Sequence, residues 1–513
     1  MVTSSSRRTR LLLIQCRRLA LAVLCLHLLQ NCRARHGELS AVAMTFPDQA
    51  MELSPDEASA VYEVFEAVNN EVLWRHEYPT NLCVEGPHGL VCAADEQNIL
   101  HVVELNIGWV SEANNNVKCG PHAAISPALT RFPFLRKLFF YSCFISDEVM
   151  LPSFLWRLGS SVEELVFLRN EKLVGGLSGA IANLTNLKRV IFADNMAFGG
   201  AIPEQLGLLS GLEQLVLSRN DHIGELPRSF NMLKRLRVLD LSWNSLQGAI
   251  PSSVLNSMEM LQKLDLSHNN LSSTIPDSIS KASSLQLIDL SWNNLSGPLP
   301  DASLGKLVHL RVLQLSYNSF QGSSLPTAMW TRLGRVMAIG IAQSGLVGKI
   351  PESLGKVKRL RSLNLSANQL EGPIPGSLED LHSIFEMDLS GNRLQGLFPF
   401  SAGFIQRMGS NLKVGNNDGL CRRPGQLLNV SFPLEYYISS AHMGGSTLAG
   451  PLPECSALEL AQSNYHEALP SSSQHGAITY DTSEAATAVW ISIMTRMLPC
   501  ALATLSYLVV VTP

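Results

Sequence analysis

The sequence is poor in the features on which most function classes depend. It contains no HExxH, no GxSxG and no glycine loop ending in Gly-Lys-Ser/Thr, so zinc hydrolysis, the nucleophile elbow and P-loop phosphate binding have no residues to carry them. The 13 histidines are scattered without ligand spacing, and His222 and His268 read as surface-loop residues. Charged residues make up 16% of the chain and aromatic residues 7%, and 43 acidic against 39 basic side chains leave a formal charge of -4. That balance gives no basic footprint for nucleic acid and no charge block of the kind that forms a solvating tail. No enzyme, metal site or cofactor is expected.

What is abundant is leucine, at a fixed interval. The unit LxxLxLxxNxLxGxIP appears as LRVLDLSWNSLQGAIP from Leu236 and as LRSLNLSANQLEGPIP from Leu360, with diverged copies from Leu187, Leu212, Leu261, Leu285, Leu310 and Ile384. Its asparagine recurs at Asn170, Asn195, Asn220, Asn244, Asn269, Asn293, Asn318, Asn368 and Asn392. The separations are 25, 25, 24, 25, 24, 25, 50 and 24 residues. Ser344 occupies the missing rung and Cys143 an earlier one, which makes about eleven repeats. In each unit two leucines of a short strand point inward and the residues between them point out. A buried turn needs its backbone groups satisfied, which the asparagine amide can do. Glycine and proline in GxIP rule out a long regular helix on the return. One repeat cannot bury its apolar face alone, so the units must stack. The expected fold is an α/β repeat solenoid, a leucine-rich-repeat horseshoe or superhelix with parallel strands on its concave face.

The remaining segments complete the plan. Residues 1–43 read as a signal peptide, with arginines before the apolar Leu19–Leu29 run and an Ala41-Val42-Ala43 exit; a signal anchor is the alternative. Residues 44–130 form an N-terminal cap. There Ser54-Pro55-Asp56-Glu57 has the form of a capping box, and Val61, Val64, Phe65 and Val68 follow at helical spacing. Repeats fill 131–410, a C-terminal cap 411–456, and a serine-rich stalk 457–486. Six cysteines fall between the signal and the tail, an even number that suits disulfides in a secreted chain. Their order suggests Cys83–Cys92, Cys119–Cys143 and Cys421–Cys455, among the 15 connectivities six cysteines allow.

The 24-residue unit with GxIP, flanked by cysteine-bearing caps, resembles the plant extracellular leucine-rich-repeat class. AVYEVFEAV, LRKLFFYSCF and FIQRMGSNLKVGNNDGLC are similar to the kinase-less branch of receptor-like proteins that includes Too Many Mouths and proteins implicated in responses to root endophytes. The resemblance implies a role beside a membrane receptor kinase with its own repeat ectodomain, at the extracellular face of the plasma membrane. No insertion interrupts the repeats, so the hormone-binding island of some steroid receptors of this class is absent.

The tail, 487–513, is apolar but carries Arg496 and Pro499. A spanning helix would hold that arginine near mid-membrane, at about 2.5–3.5 kcal/mol. A glycosylphosphatidylinositol (GPI) signal with attachment near Ser483 fits better, and a single span and free secretion remain open. With either form of membrane attachment, no cytoplasmic domain is expected and a membrane-crossing partner must carry the signal.

The residue before each ladder asparagine faces outward, and the column runs Arg169, Asp194, Arg219, Trp243, His268, Trp292, Tyr317. Four aromatic-type positions, at about 4.8 Å strand spacing, suit a peptide or protein ligand or a partner's loop. The neighbouring column carries Asp240, Asp265 and Asp289. Sequons stand at Asn183, Asn270, Asn294, Asn364 and Asn429, and a glycan on the strand residue Asn364 would favour binding nearer the middle. The function these features imply is membrane-held recognition of a peptide, protein or microbial signal with a receptor kinase. A secreted inhibitor of cell-wall-degrading enzymes is the alternative.

Overall fold

Inward leucines every 24 or 25 residues build one continuous sheet. A computed structural model describes residues 53–109, 116–424 and 453–456. The signal segment, Asn429, the stalk, Ser483 and the apolar tail lie outside these. A 14-stranded sheet begins with the antiparallel pair Leu90–Ala94 and Leu100–Ile107. Twelve parallel strands follow, from Lys137–Tyr141 to Leu412–Lys413. Eleven of them belong to repeats and the twelfth to the segment after the last repeat. In each repeat the two inward residues of the LxL triplet, such as Leu239 and Leu241 or Leu165 and Phe167, enter one apolar core that runs from Leu53 to Leu420.

The return path is as short as glycine and proline dictate. The residues after each rung form a second set of short parallel strands, from Gly199–Ala201 to Asn294–Leu295 and from Val347–Lys349 to Gly419–Cys421. These two sheets are separated where the rungs Asn318 and Ser344 stand 26 apart, with single bridges Ser296–Ser319 and Ser324–Val347 across the gap. Behind them lies one 3₁₀ or α turn per repeat, commonly five residues and preceded by proline, as at Pro203, Pro227 and Pro351.

The asparagine ladder satisfies the turn as its chemistry requires. Asn269 Nδ2 donates to the Leu241 and Leu266 carbonyls at 3.0 and 3.1 Å, while its Oδ1 accepts the Leu246 N–H at 3.0 Å. At the exceptional rung, the Ser344 hydroxyl reaches Ala342 O at 2.9 Å. Cys143 donates its N–H to Asn170 Oδ1 and is joined to Cys119.

Both ends are closed covalently. Disulfides join Cys83 to Cys92, Cys119 to Cys143 and Cys421 to Cys455. In the N-terminal cap the helix Pro55–Val68 buries Val61, Val64, Phe65 and Val68. The capping box forms by half. Ser54 Oγ accepts the Glu57 N–H at 3.3 Å, but the Glu57 carboxylate turns inward instead, accepting the Val102 N–H at 2.9 Å and meeting His101 Nδ1 at 2.5 Å. Burial pulls the His101 ring's pKa down, and the carboxylates of Glu57 and Asp95 outweigh it, holding the ring above the ordinary histidine value. A buried carboxylate gains more from a cation and a backbone donor than from one exposed helix end.

Candidate functional site

The outward positions of the strands form rows across the sheet, fixed by register. One row pairs Val166, Ile191, Val216, Asp240, Asp265, Asp289, Gln314, Gly340, Asn364 and Asp388 in order. It changes character three times. Val166, Ile191 and Val216 join Leu168 and Ala193 in an apolar cluster separate from the main core, with Phe139, Tyr141 and Val238 against it. Three carboxylates follow, then the uncharged Gln314, Gly340 and Asn364, and the row ends on a fourth carboxylate, Asp388.

Asp240, Asp265 and Asp289 are nearly buried. Each accepts the hydroxyl of the serine two residues on, Ser242, Ser267 and Ser291, at 2.7, 2.7 and 2.5 Å. Lys263 Nζ bridges two of them, 2.8 Å from Asp240 Oδ2 and 3.5 Å from Asp265 Oδ2. Burial, with repulsion from Asp240, pushes the Asp265 and Asp289 carboxyls above the ordinary range. Burial acts against the Lys263 charge, but the carboxylates prevail and hold its pKa above the usual lysine value.

The residue before each rung lies in the left-handed region. φ is 55° at Arg169, Arg219, Trp243 and Trp292, 52° at His268 and 58° at Tyr317. This conformation turns the chain from strand into second sheet and is hostile to β-branched side chains. None occurs in the column from Ser142 to Asn416.

The four rings do not stand apart along this edge. Trp243 stacks on His268 with centroids 3.6 Å apart, His268 on Trp292 at 5.2 Å, and Trp292 on Tyr317 at 3.8 Å, all within 15° of parallel. Arg219 lies over the outer face of Trp243, its Cζ 4.5 Å from the ring centre, and its Nε is 3.6 Å from Asp194. Neighbouring rings and the guanidinium therefore occupy most ring faces, leaving the borders to solvent. His268 lies on the bend between Lys263–Asp265 and Asn270–Ser273, as a surface-loop reading expects, and it is also a member of this rib. Burial between the indoles, with Arg219 nearby, lowers its pKa to about 4, so the rib is uncharged at neutral pH.

His222, in contrast, is misplaced by a surface-loop reading, since it lies within the strand Asp221–Gly224. It is fully buried, in the position that Leu246, Leu271 and Leu295 take in later repeats. Nδ1 lies 3.1 Å from the Gly200 carbonyl, and Nε2 has no partner among the described residues. Burial lowers its pKa. The unfolded chain therefore binds the proton more readily, and the stability this histidine supports is lost as pH falls below about 6.5. His222→Leu is expected to stay within about 1 kcal/mol of the parent at pH 7, because losing the Gly200 bond offsets removing the orphaned nitrogen. At pH 5 the variant is expected to be the more stable. Denaturant midpoints at the two pH values decide it, and a parallel fall in both proteins would refute the assignment.

Of the sequons, Asn183, Asn270 and Asn294 are exposed and Asn364 is half-buried on the strand face, its Oδ1 accepting the Ser366 hydroxyl at 2.7 Å. Periodicity gave no sign of Lys263 or the apolar cluster. Reading the residue between the two inward leucines, repeat by repeat, would have found the row. Among the described residues, no helix is long and apolar enough to cross a membrane.

Comparison with known proteins agrees with the repeat chemistry. The Leucine rich repeat family matches residues 248–295 and 335–394, and a second Leucine Rich Repeat family matches 235–257. Protein TOO MANY MOUTHS of Arabidopsis thaliana is 37% identical over 145 residues, 28% of each chain. Receptor like protein 29 of the same plant is 33% identical over 147 residues, 28% of this chain and 30% of the relative. The matched stretches thus span less than a third of either relative. Among solved structures, the Arabidopsis receptor kinase HAESA, in complex with a peptide hormone and a co-receptor, superposes with a TM-score of 0.56 at 22% identity. That match covers 72% of this chain and 65% of the other, and it shows the shared fold.

Proposed function

We propose that this chain, which is similar over part of its length to plant leucine-rich-repeat receptor-like proteins, is a cell-surface recognition protein without a kinase of its own. It binds a peptide or protein ligand on its strand face and acts with a membrane receptor kinase that has a repeat ectodomain. The apolar tail supports attachment at the outer face of the plasma membrane, by a GPI anchor or a single span, and the disulfide-closed caps support an oxidising compartment.

The observation that carries this reading is the rib Trp243–His268–Trp292–Tyr317, with Arg219 at its end. Trp243 and Trp292 remain 39% and 48% exposed although stacked. Large, rigid side chains held at low entropic cost are the usual anchors of an interface. The rib is braced by its own stacking, so binding need not order it. Truncating two anchors is expected to cost at least about 2 kcal/mol, roughly thirtyfold in affinity.

The test is recovery of receptor kinases, crosslinked in plant cells and quantified by mass spectrometry, with the full chain and its Trp243→Ala/Trp292→Ala variant. At least a tenfold loss of one or more kinases is expected, with the variant accumulating normally. Unchanged recovery of every kinase would sink the reading of the rib.

A further inference from the structure

Two sequons stand beside the aromatic rib. Asn270 and Asn294 open adjacent strands of the second sheet, Asn270–Ser273 and Asn294–Leu295, which pair in parallel with Ser272 opposite Asn294. Each follows a rib residue by two positions, in His268-Asn269-Asn270-Leu271-Ser272 and Trp292-Asn293-Asn294-Leu295-Ser296. Between the members of each pair lies a ladder asparagine, whose amide is turned inward to the Leu241 and Leu266 carbonyls in one repeat and to Leu266 and Leu290 in the next. With that residue directed inward, its two neighbours both face out along the same edge. Asn270 and Asn294 are exposed. Asn294 Oδ1 accepts the Ser319 hydroxyl at 3.0 Å, and neither asparagine's Nδ2 donates to a partner among the described residues.

The chemistry of a sugar matches what the rib leaves uncovered. One face of N-acetylglucosamine presents apolar C–H groups, which can pack against the apolar ring borders of the rib as both surfaces leave water. Trp292 is the most exposed of the rib's indoles, and the His268–Trp292 spacing of 5.2 Å is the widest in the stack. The other described sequons lack this pairing. Two residues before Asn183 is Ile181, buried in the core, and two before Asn364 is Ser362.

We propose that Asn270 and Asn294 carry N-linked glycans whose first N-acetylglucosamine units pack against His268 and Trp292. The two glycans then wall the recognition face on its second-sheet side, and a partner approaches over the strands carrying Asp240, Asp265 and Asp289. In the attachment, Nδ2 bonds to C1 of a lipid-pyrophosphate-linked oligosaccharide. The C1–O bond to the pyrophosphate breaks, the lipid pyrophosphate leaves, and the amide gives up one proton. This inference rests on the secretory reading of the chain, since that donor acts in the endoplasmic reticulum lumen.

The test uses the full chain from plant cells. Site occupancy is read by mass spectrometry after release with a peptide N-glycosidase that tolerates plant core fucose, in ¹⁸O-water. Near-complete labelling of Asn270 and Asn294 is expected. Native deglycosylation is expected to lower the Tm of the parent by about 2 °C, but to leave a His268→Ala/Trp292→Ala variant almost unmoved. Should that variant fail to accumulate, Asn270→Gln/Asn294→Gln gives the comparison with the rings intact, and its Tm should match that of the deglycosylated parent. Unmodified Asn270 and Asn294 beside a modified Asn183 would overturn the inference alone. Equal Tm shifts in parent and ring variant would overturn the packing. An absence of glycan at every sequon, with the six cap cysteines as free thiols, would overturn the secretory reading instead.

Discussion

Lys263→Met is expected to destabilise the fold by about 3 kcal/mol at pH 7, with a deficit that shrinks on acidification. Its ammonium is the cation shared by Asp240 and Asp265, whose side chains are only 3% and 9% exposed, while the Lys263 side chain itself is 23% exposed. Methionine keeps the volume of the stem and removes the charge, leaving adjacent carboxylates with no counterion between them. The register explains why no neighbour can substitute. Lys263 pairs with Val238 on one side and Leu287 on the other, so the adjoining strands offer aliphatic side chains at that level.

The pH dependence follows from the direction of the carboxyl shifts. Asp265 and Asp289 titrate above the ordinary range in the folded chain, through burial and repulsion from Asp240. The folded state therefore binds protons that the unfolded state, with carboxyls near 3.9, does not yet hold. For such groups stability rises as pH falls from the folded value toward the unfolded one. Removing the lysine strengthens the effect, so guanidinium midpoints of variant and parent should converge between pH 7 and 4.5. A second substitution, Asp265→Asn in the Lys263→Met background, is expected to recover most of the loss at pH 7. A deficit that is constant with pH and unrelieved by Asp265→Asn would show that Lys263 contributes packing alone.

The solenoid was legible because leucine and asparagine do the same task at every turn of the chain. Rung spacing located the strands, and the odd interval around Ser344 marks where the second sheet divides. Cysteine order placed the three disulfides because each pair lies within one end of a stack that keeps sequence neighbours together. Side-chain encounters on the outer face were less legible. A period states which residues face out, but not whether they meet. Thus strand spacing places the four rings in one row but does not show that they stack, with centroids as close as 3.6 Å. The left-handed backbone at the strand end brings them over one another, and the residue types mark that conformation only by the absence of β-branched side chains from the column. Glu57 showed a limit of another kind. A helix-start motif predicts a local bond, and a part-buried histidine 44 positions away took the carboxylate instead. His222 could have been read correctly, since it occupies the apolar position two after a rung, where leucine stands in later repeats.

Phe192→Ala is expected to cost about 3–5 kcal/mol, and to spend it locally. The first repeats replace the second inward leucine by phenylalanine. Phe140, Phe167 and Phe192 stack in order with centroids 5.2 and 4.8 Å apart, and Phe198 continues the column at 4.8 Å. All four are fully buried. Phe192 has an aromatic neighbour on each face, so its removal leaves a cavity between rings that cannot close without moving two strands. The next repeat holds Leu217 at this position, and Phe192→Leu, which keeps most of the volume, is expected to cost less than about 1.5 kcal/mol. Each repeat touches only its neighbours, so the damage has a defined range. Hydrogen exchange of the alanine variant should accelerate in Glu164–Leu168, Arg189–Ala193 and Gln214–Val216, and stay near the parent's rate in Glu386–Asp388. Uniform acceleration along the sheet would mean that the disulfide-closed caps couple all the repeats into one cooperative unit. In that case loss of the phenylalanine column would reach the rib at Trp243, four strands on from the first of these rings. Local loss would instead leave recognition at Trp243–Tyr317 intact in a protein whose first repeats are already loosened.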